Sequence, residues 1–320
     1  MTGWTERTVF RDGVRLVARD YGEPPPAPDP GEPEQGATLA GDPGRLAGRP
    51  LERDSTAACP VKPEETRAVR TGSVADRVRT AAEGAAARAT VLLLHGLAGH
   101  SGEWDATARL LGGRHRVVAV DQRGQGASER HPDDMSRAAH VADVVAVIEE
   151  LGLGDVVLVG QSLGGHTAML TAAAHPQLVS ALVLVEAGPG SADPDPRETA
   201  RVGEWLASWP VPFPSPAVAA DFFGGGPAGA GWAAGLEERA DGWWPRFEPA
   251  LMADSLTELS QRSFQREWEQ VTCPVLVVLA ESGMIPSDEA DAMARTRPGT
   301  AMVHVPGVGH DLHLEAPDML

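Results

Sequence analysis

With 320 residues the chain is long enough to bury a large core, as one large domain or two smaller ones. Its 42% hydrophobic content is ordinary for a globular protein, and 45 acidic against 27 basic side chains leave a formal charge of -18. That balance argues against binding nucleic acid or an anionic membrane through net electrostatics and leaves a small neutral substrate open.

The opening stretch MTGWTERTVFRDG lacks a basic segment followed by an apolar one, so no signal peptide is expected. No apolar run approaches the ~20 residues of a membrane span, and the cytoplasm is the expected location. Cys59 and Cys273 have no metal-ligand spacing and form no disulfide framework.

Residues 8–21, TVFRDGVRLVARDY, read as a hairpin turning at Asp12-Gly13 and close an N-terminal unit, 1–21. Residues 22–88 are rich in proline, glycine and charge without apolar periodicity, which predicts a disordered insertion; only 73–87 favours helix. A regular pattern then starts. TVLLLHG (90–96), RVVAVD (116–121), DVVLVG (155–160) and SALVLVEA (180–187) read as buried strands. WDATARLL (104–111), residues 136–152 and HTAMLTAAAHP (166–176) read as helices between them. Strands alternating with helices predict an α/β fold with a mostly parallel central sheet and helices on both faces, its first core part being 89–187. From 188 to 265 the alternation gives way to helical segments, loop-forming PVPFPSP and GGGPAGAG, and five tryptophans (205, 209, 232, 243, 244). This excursion is read as a lid over the strand ends, against a linker subdomain whose tryptophans fill their own core. Strands resume at 273–281 and 300–307 in a last core part, 266–320.

Gly160-Gln161-Ser162-Leu163-Gly164 matches G-x-S-x-G between a predicted strand and a predicted helix. A nucleophile on so sharp a turn takes a strained backbone conformation with little room beside it, and glycines remove the clash. The turn lifts the hydroxyl above the sheet and aims the helix N-terminus at the reacting centre. HGLAGHSGEW (95–104), DQRGQGAS (121–128) and GVGHDLHLEAP (307–317) follow other strands. These four motifs, in this order, resemble the α/β-hydrolase fold family of the single-domain, lidded type, over residues 8–21 and 90–320.

The resemblance implies a helical lid between the family's sixth and seventh strands and a set of roles. Ser162 is the nucleophile and His310 its general base, favoured over His313 by the match to G-x-G-H. The backbone N–H groups of Leu97 and Leu163 form the oxyanion hole. His95 holds its loop, and Asp121, Arg123 and Gly124 brace the next one. Trp104 is either a pocket wall or a buried core residue, and Gln161, beside the serine, is a further pocket candidate. No cofactor and no metal are required. The family also carries a C-terminal helix that this chain lacks at Leu320, so exposed apolar sheet, reduced stability or self-association is expected.

The family's acid usually follows the seventh strand, where PVLVVLAESG (274–283) places Gly283 instead of aspartate. Glu186, at the end of the preceding sheet strand, is the first replacement and Glu281 the second; Asp288 and Asp311 are outsiders. The function expected is hydrolysis of an ester, lactone or thioester of a small apolar substrate. A carbon–carbon hydrolase or perhydrolase on the same scaffold, or a non-catalytic binding protein, stands as the alternative.

Overall fold

The computed structural model describes residues 3–24, 88–191 and 195–320. The body of the expected insertion, including the helix-favouring stretch 73–87, lies outside the described residues. Ten strands occur among those described: β1 Thr5–Arg11, β2 Val14–Asp20, β3 Thr90–Leu94, β4 Arg116–Asp121, β5 Val156–Gln161, β6 Val179–Val185, β7 Glu237–Arg239, β8 Gly242–Trp244, β9 Val275–Ser282 and β10 Ala301–Gly309. The helices are α1 Asp105–Leu111, α2 Arg137–Glu150, α3 Ser162–Ala174, α4 Pro196–Ala207, α5 Pro216–Phe222, α6 Gly226–Ala234, α7 Pro249–Leu256, α8 Gln265–Gln270, α9 Ser287–Thr296 and α10 Leu312–Glu315.

Eight strands form one sheet in the order β1-β2-β4-β3-β5-β6-β9-β10. The β1–β2 hairpin is antiparallel and β2 adds antiparallel to β4, while every later pairing in this sheet is parallel. Runs such as Val91–Leu94 and Val117–Val120 are apolar on both sides because both faces are covered. One face packs Leu92, Leu94, Val118, Leu158 and Leu184 against α2, α3, α8 and α9. The other packs Val91, Leu93, Val185 and Val278 against Trp104, α1 and Leu312 of α10. On that second face Val157, Val183 and Leu276 are half-buried, and Val303 is 47% exposed.

The chain leaves the described part at Pro24 and re-enters at Arg88, beside the starts of the parallel strands. Ser162 lies at the opposite end. Strand order reverses around β3, whose neighbours are β4 and β5. The crevice outside the carboxyl ends of such a sheet at its switch point is where ligands bind in α/β folds. The loops after β3 and β5 meet there.

The excursion between β6 and β9 is mostly helical but also contains the β7–β8 hairpin, absent from the sequence reading because each strand has only three residues. Trp209 and Phe213 fill the excursion's own core with Leu206, Phe247 and Met252, whereas Trp205 is 45% exposed. Leu97 and Ala98, from the loop after β3, pack against this cluster. Among the described residues no helix is long and apolar enough to cross a membrane.

Candidate active site

The turn from β5 into α3 is built by close packing. Ser162 itself is in the left-handed region, φ 50°, and α3 starts at this residue, four positions earlier than its apolar pattern suggests. A Cβ at Gly160 would run into the backbone of Gly164, and one at Gly164 into the carbonyl oxygens of His95 and Leu94. At Gly165 it would strike Ala187, the residue after Glu186. The glycines thus draw the ends of β3 and β6 onto the serine turn. Gln161 provides no side-chain cap for α3, which leaves the first-turn N–H groups, Leu163 included, without an acceptor from that side chain.

The loop after β3 passes beside the serine. A Cβ on Gly96 would overlap Gln161 Oε1 and lie 3.3 Å from Ser162 Cβ. Ala98, φ 61°, turns the chain back just after Leu97. His95 is fully buried; Nδ1–H donates to the Gly96 carbonyl (2.7 Å), and Nε2 accepts the Gln122 N–H (3.0 Å). Burial pushes its pKa down, against the charges of Glu103 and Asp121, so it is a neutral loop anchor. Asp121 accepts the Ser101 N–H (2.6 Å) and the Ala127 N–H (2.9 Å), while Arg123 makes two 2.6 Å contacts to Asp143.

Glu186 ends β6 in the left-handed region, φ 49°, and is 1% exposed. Its Oε1 accepts the Ala280 N–H at 2.6 Å and its Oε2 the Met284 N–H at 2.7 Å. Oε2 also lies 3.3 Å from His310 Nδ1. Burial alone would raise this carboxyl, but the His310 hydrogen bond and the two backbone donors outweigh it and hold the pKa below its ordinary value. A Cβ built on Gly283 would fall on the Glu186 carboxylate itself. The carboxylate therefore occupies the space that a side chain at position 283 would need.

With Nδ1 directed at Glu186, the other ring nitrogen of His310 is the one free to face the serine. Ser162 Oγ has no hydrogen-bond partner among the described residues, so serine and imidazole are not hydrogen-bonded to each other. Gln161 Nε2 donates to the His310 carbonyl (3.1 Å) and ties the two loops together.

The remaining sequence candidates lie elsewhere. His313 is 1% exposed, its Nε2 is 3.2 Å from Glu103 Oε2, and its ring packs 4.8 Å from that of Trp104. Trp104 is completely buried beneath the sheet and is a core residue, not a pocket wall. Gln161 is 2% exposed and acts as a tie between loops instead of lining a pocket. Glu281 is exposed and accepts the Gly307 N–H (2.8 Å), not a His310 nitrogen. Asp311 accepts the Trp232 indole N–H (2.9 Å), and Asp288 is exposed in the first turn of α9.

Three neighbours escaped the sequence reading. Glu103 accepts the His100 N–H (3.3 Å) while the His100 ring accepts the Gly102 N–H (3.2 Å), a spacing akin to a capping box that H-x-x-E could have signalled. His100 Nε2 also meets the Gly231 carbonyl of α6 at 3.1 Å. Arg137, 2% exposed, reaches the Leu163 carbonyl (3.3 Å) and Thr167 Oγ1 from behind the serine turn, and burial pushes its pKa down to about 9.

Comparison with known proteins agrees with this architecture. A family model described as "Alpha/beta hydrolase family" matches residues 91–320. A 2-(acetamidomethylene)succinate hydrolase of Mesorhizobium japonicum is 29% identical over 72% of this chain and 84% of its own length. An sn-1-specific diacylglycerol lipase of Mus musculus is 35% identical, over 39% of this chain and 40% of the lipase. The crystal structure of an E-2-(acetamidomethylene)succinate hydrolase superposes with a TM-score of 0.71 at 19% identity, covering 99% of this chain and 96% of that one. With most of its length matched by the family model and its fold shared with these enzymes, the chain belongs to the alpha/beta hydrolase family.

Proposed function

We propose that the protein is a serine hydrolase that cleaves an acyl bond, an ester, lactone or thioester, of a small apolar substrate. The observation that carries this reading is the Glu186 carboxylate, buried, held by two backbone N–H groups and set against His310 Nδ1. A buried carboxylate fixes the imidazole tautomer and stabilises the imidazolium formed during reaction.

In this account Ser162 Oγ attacks the carbonyl carbon while its proton passes to His310 Nε2. The oxyanion is received by the N–H groups of Leu163, on the uncapped turn of α3, and of Leu97. The imidazolium protonates the leaving group, giving an acyl-serine. Water, deprotonated by the same imidazole, attacks the acyl carbon and releases the acid. This chemistry requires no cofactor.

The excursion serves as a lid in this reading. Helix α6 is fastened to both reactive loops, through His100 to the Gly231 carbonyl and through the Trp232 indole to Asp311. Leu97 packs against the aromatic cluster that includes Trp209 and Phe213, which supports an apolar acyl group next to the serine.

The test is turnover of p-nitrophenyl acetate and butyrate, with 2-(acetamidomethylene)succinate in the same panel because a relative bears that name. Turnover of an ester that falls by at least about 10^4-fold in Ser162→Ala is expected. A folded protein inactive on every acyl substrate would favour a binding protein on the same scaffold. Activity unchanged in Ser162→Ala would remove the serine from the mechanism.

A further inference from the structure

A cavity of about 400 Å³ lies at the junction between the sheet and the helical excursion, and its walls include none of Ser162, Glu186 or His310. The sheet side contributes Arg15, at the start of β2, and the loop through Ala127, Glu129 and Arg130. The excursion contributes Glu237 and Arg246. Three guanidinium groups line one concavity of a chain whose formal charge is -18.

Their pairing is uneven. Arg130 is neutralised by Glu237 at 2.9 Å, and Glu237 is shared with Arg239. Glu129, the other carboxylate in the wall, accepts the His131 N–H at 3.2 Å. Among the described residues the Arg15 guanidinium donates to the neutral carbonyl of Ala127 alone, at 2.6 Å. Arg246 has no hydrogen-bond or ion-pair partner among the described residues, and its Nε–H is closed off from solvent with nothing to donate to. Both Arg15 and Arg246 are half-buried, so water screens them incompletely. Among the described residues neither guanidinium has a carboxylate partner, although both residues line the cavity. Guanidinium groups match phosphate and carboxylate oxygens in a forked geometry.

We infer that this cavity binds a small oxyanion carrying two or more phosphate or carboxylate oxygens, bridged between Arg15 of the sheet and Arg246 of the excursion. A second cavity of about 120 Å³ shares Gly126, Ala127 and Arg246 with the first and extends to His100. His100 is the residue that holds α6 on the loop after β3. The bound anion thus pins the excursion to the sheet beside one of its two fastenings to the reactive loops.

Isothermal titration of the full chain with sodium phosphate, and separately with sodium malonate, tests this at an ionic strength fixed with sodium chloride. One saturable site is expected for at least one anion, weakened at least tenfold in Arg15→Ala and in Arg246→Ala. Arg109→Ala, which removes an exposed charge from α1, is expected to change the affinity less than twofold. Binding of phosphate alone assigns a phosphoryl ligand, and binding of malonate alone a dicarboxylate. Should Arg246→Ala fail to fold, Arg246→Lys keeps the charge without the fork and is expected to bind more weakly than the wild type. No saturable binding of either anion by the folded wild type, or an equal loss in Arg109→Ala, would overturn the inference.

Discussion

At the scale of single residues, the exchange between positions 186 and 283 is the most informative feature of the site. The family places its acid after the strand that is β9 here; this chain has Gly283 there and a carboxylate reaching in from the end of β6. The two are sterically exclusive, since a Cβ at 283 would coincide with the Glu186 carboxylate. Glu186→Gln keeps the shape, removes the charge and is expected to lower kcat by about 10^3- to 10^4-fold with KM little changed. Gly283→Ala is expected to lower kcat as well, because its methyl displaces the carboxylate. The double variant Glu186→Ala/Gly283→Asp returns a carboxylate from the other strand, and steady-state kinetics are expected to show it more active than Glu186→Ala alone. Independent losses that simply add would contradict the exchange.

At the scale of elements, the loops of the candidate site are joined by buried contacts away from Ser162 and Glu186. Glu103 sits in the turn leading into α1 and His313 in α10, and their 3.2 Å contact is buried on both sides. It joins the loop after β3 to the loop that carries His310. Burial acts to raise the Glu103 carboxyl, yet the hydrogen bond from His313 and the neighbouring imidazoles of His100 and His313 hold its pKa below the ordinary 4.5. A carboxylate whose pKa is lowered by folding contributes stability that is fully present above the unfolded value and lost as pH falls through the folded one. Thermal unfolding should therefore show wild type more stable than Glu103→Gln near pH 7, with the difference shrinking once the pH drops below about 4.5. A gap that is constant with pH would mean that the charge of Glu103 has no part in joining the loops.

These contacts also mark where the sequence stops being informative. The alternation of apolar runs and helical segments made the parallel sheet legible, because a strand buried on both faces leaves a continuous run such as VLLL or VVLV. The meeting of Glu186 with His310 could be read from the vacancy at Gly283 and the place of Glu186 at a strand end. Periodicity could not separate a pocket tryptophan from a core tryptophan, so Trp104 stayed open until the structure placed it under the sheet. Nor could it find Glu103 with His313, or Arg15 with Arg246, since each pair joins segments distant in sequence. The β7–β8 hairpin was missed because three-residue strands carry no period.

At the scale of the whole molecule, the sheet acts as a frame whose switch point brings two loops together, and the excursion is fastened across them. Arg137 reaches the Leu163 carbonyl on the serine turn, and the aromatic cluster packs against Leu97 of the loop after β3. In the proposed function this frame activates Ser162. Intact-mass measurement after exposure to a fluorophosphonate tests it without knowledge of the substrate, because only an activated serine beside an oxyanion-binding site reacts quickly. One adduct is expected on the wild type, none on Ser162→Ala, and much slower labelling of Glu186→Gln than of Glu281→Gln. A folded wild-type protein that remains unlabelled, or one that labels as fast in Ser162→Ala, would contradict it.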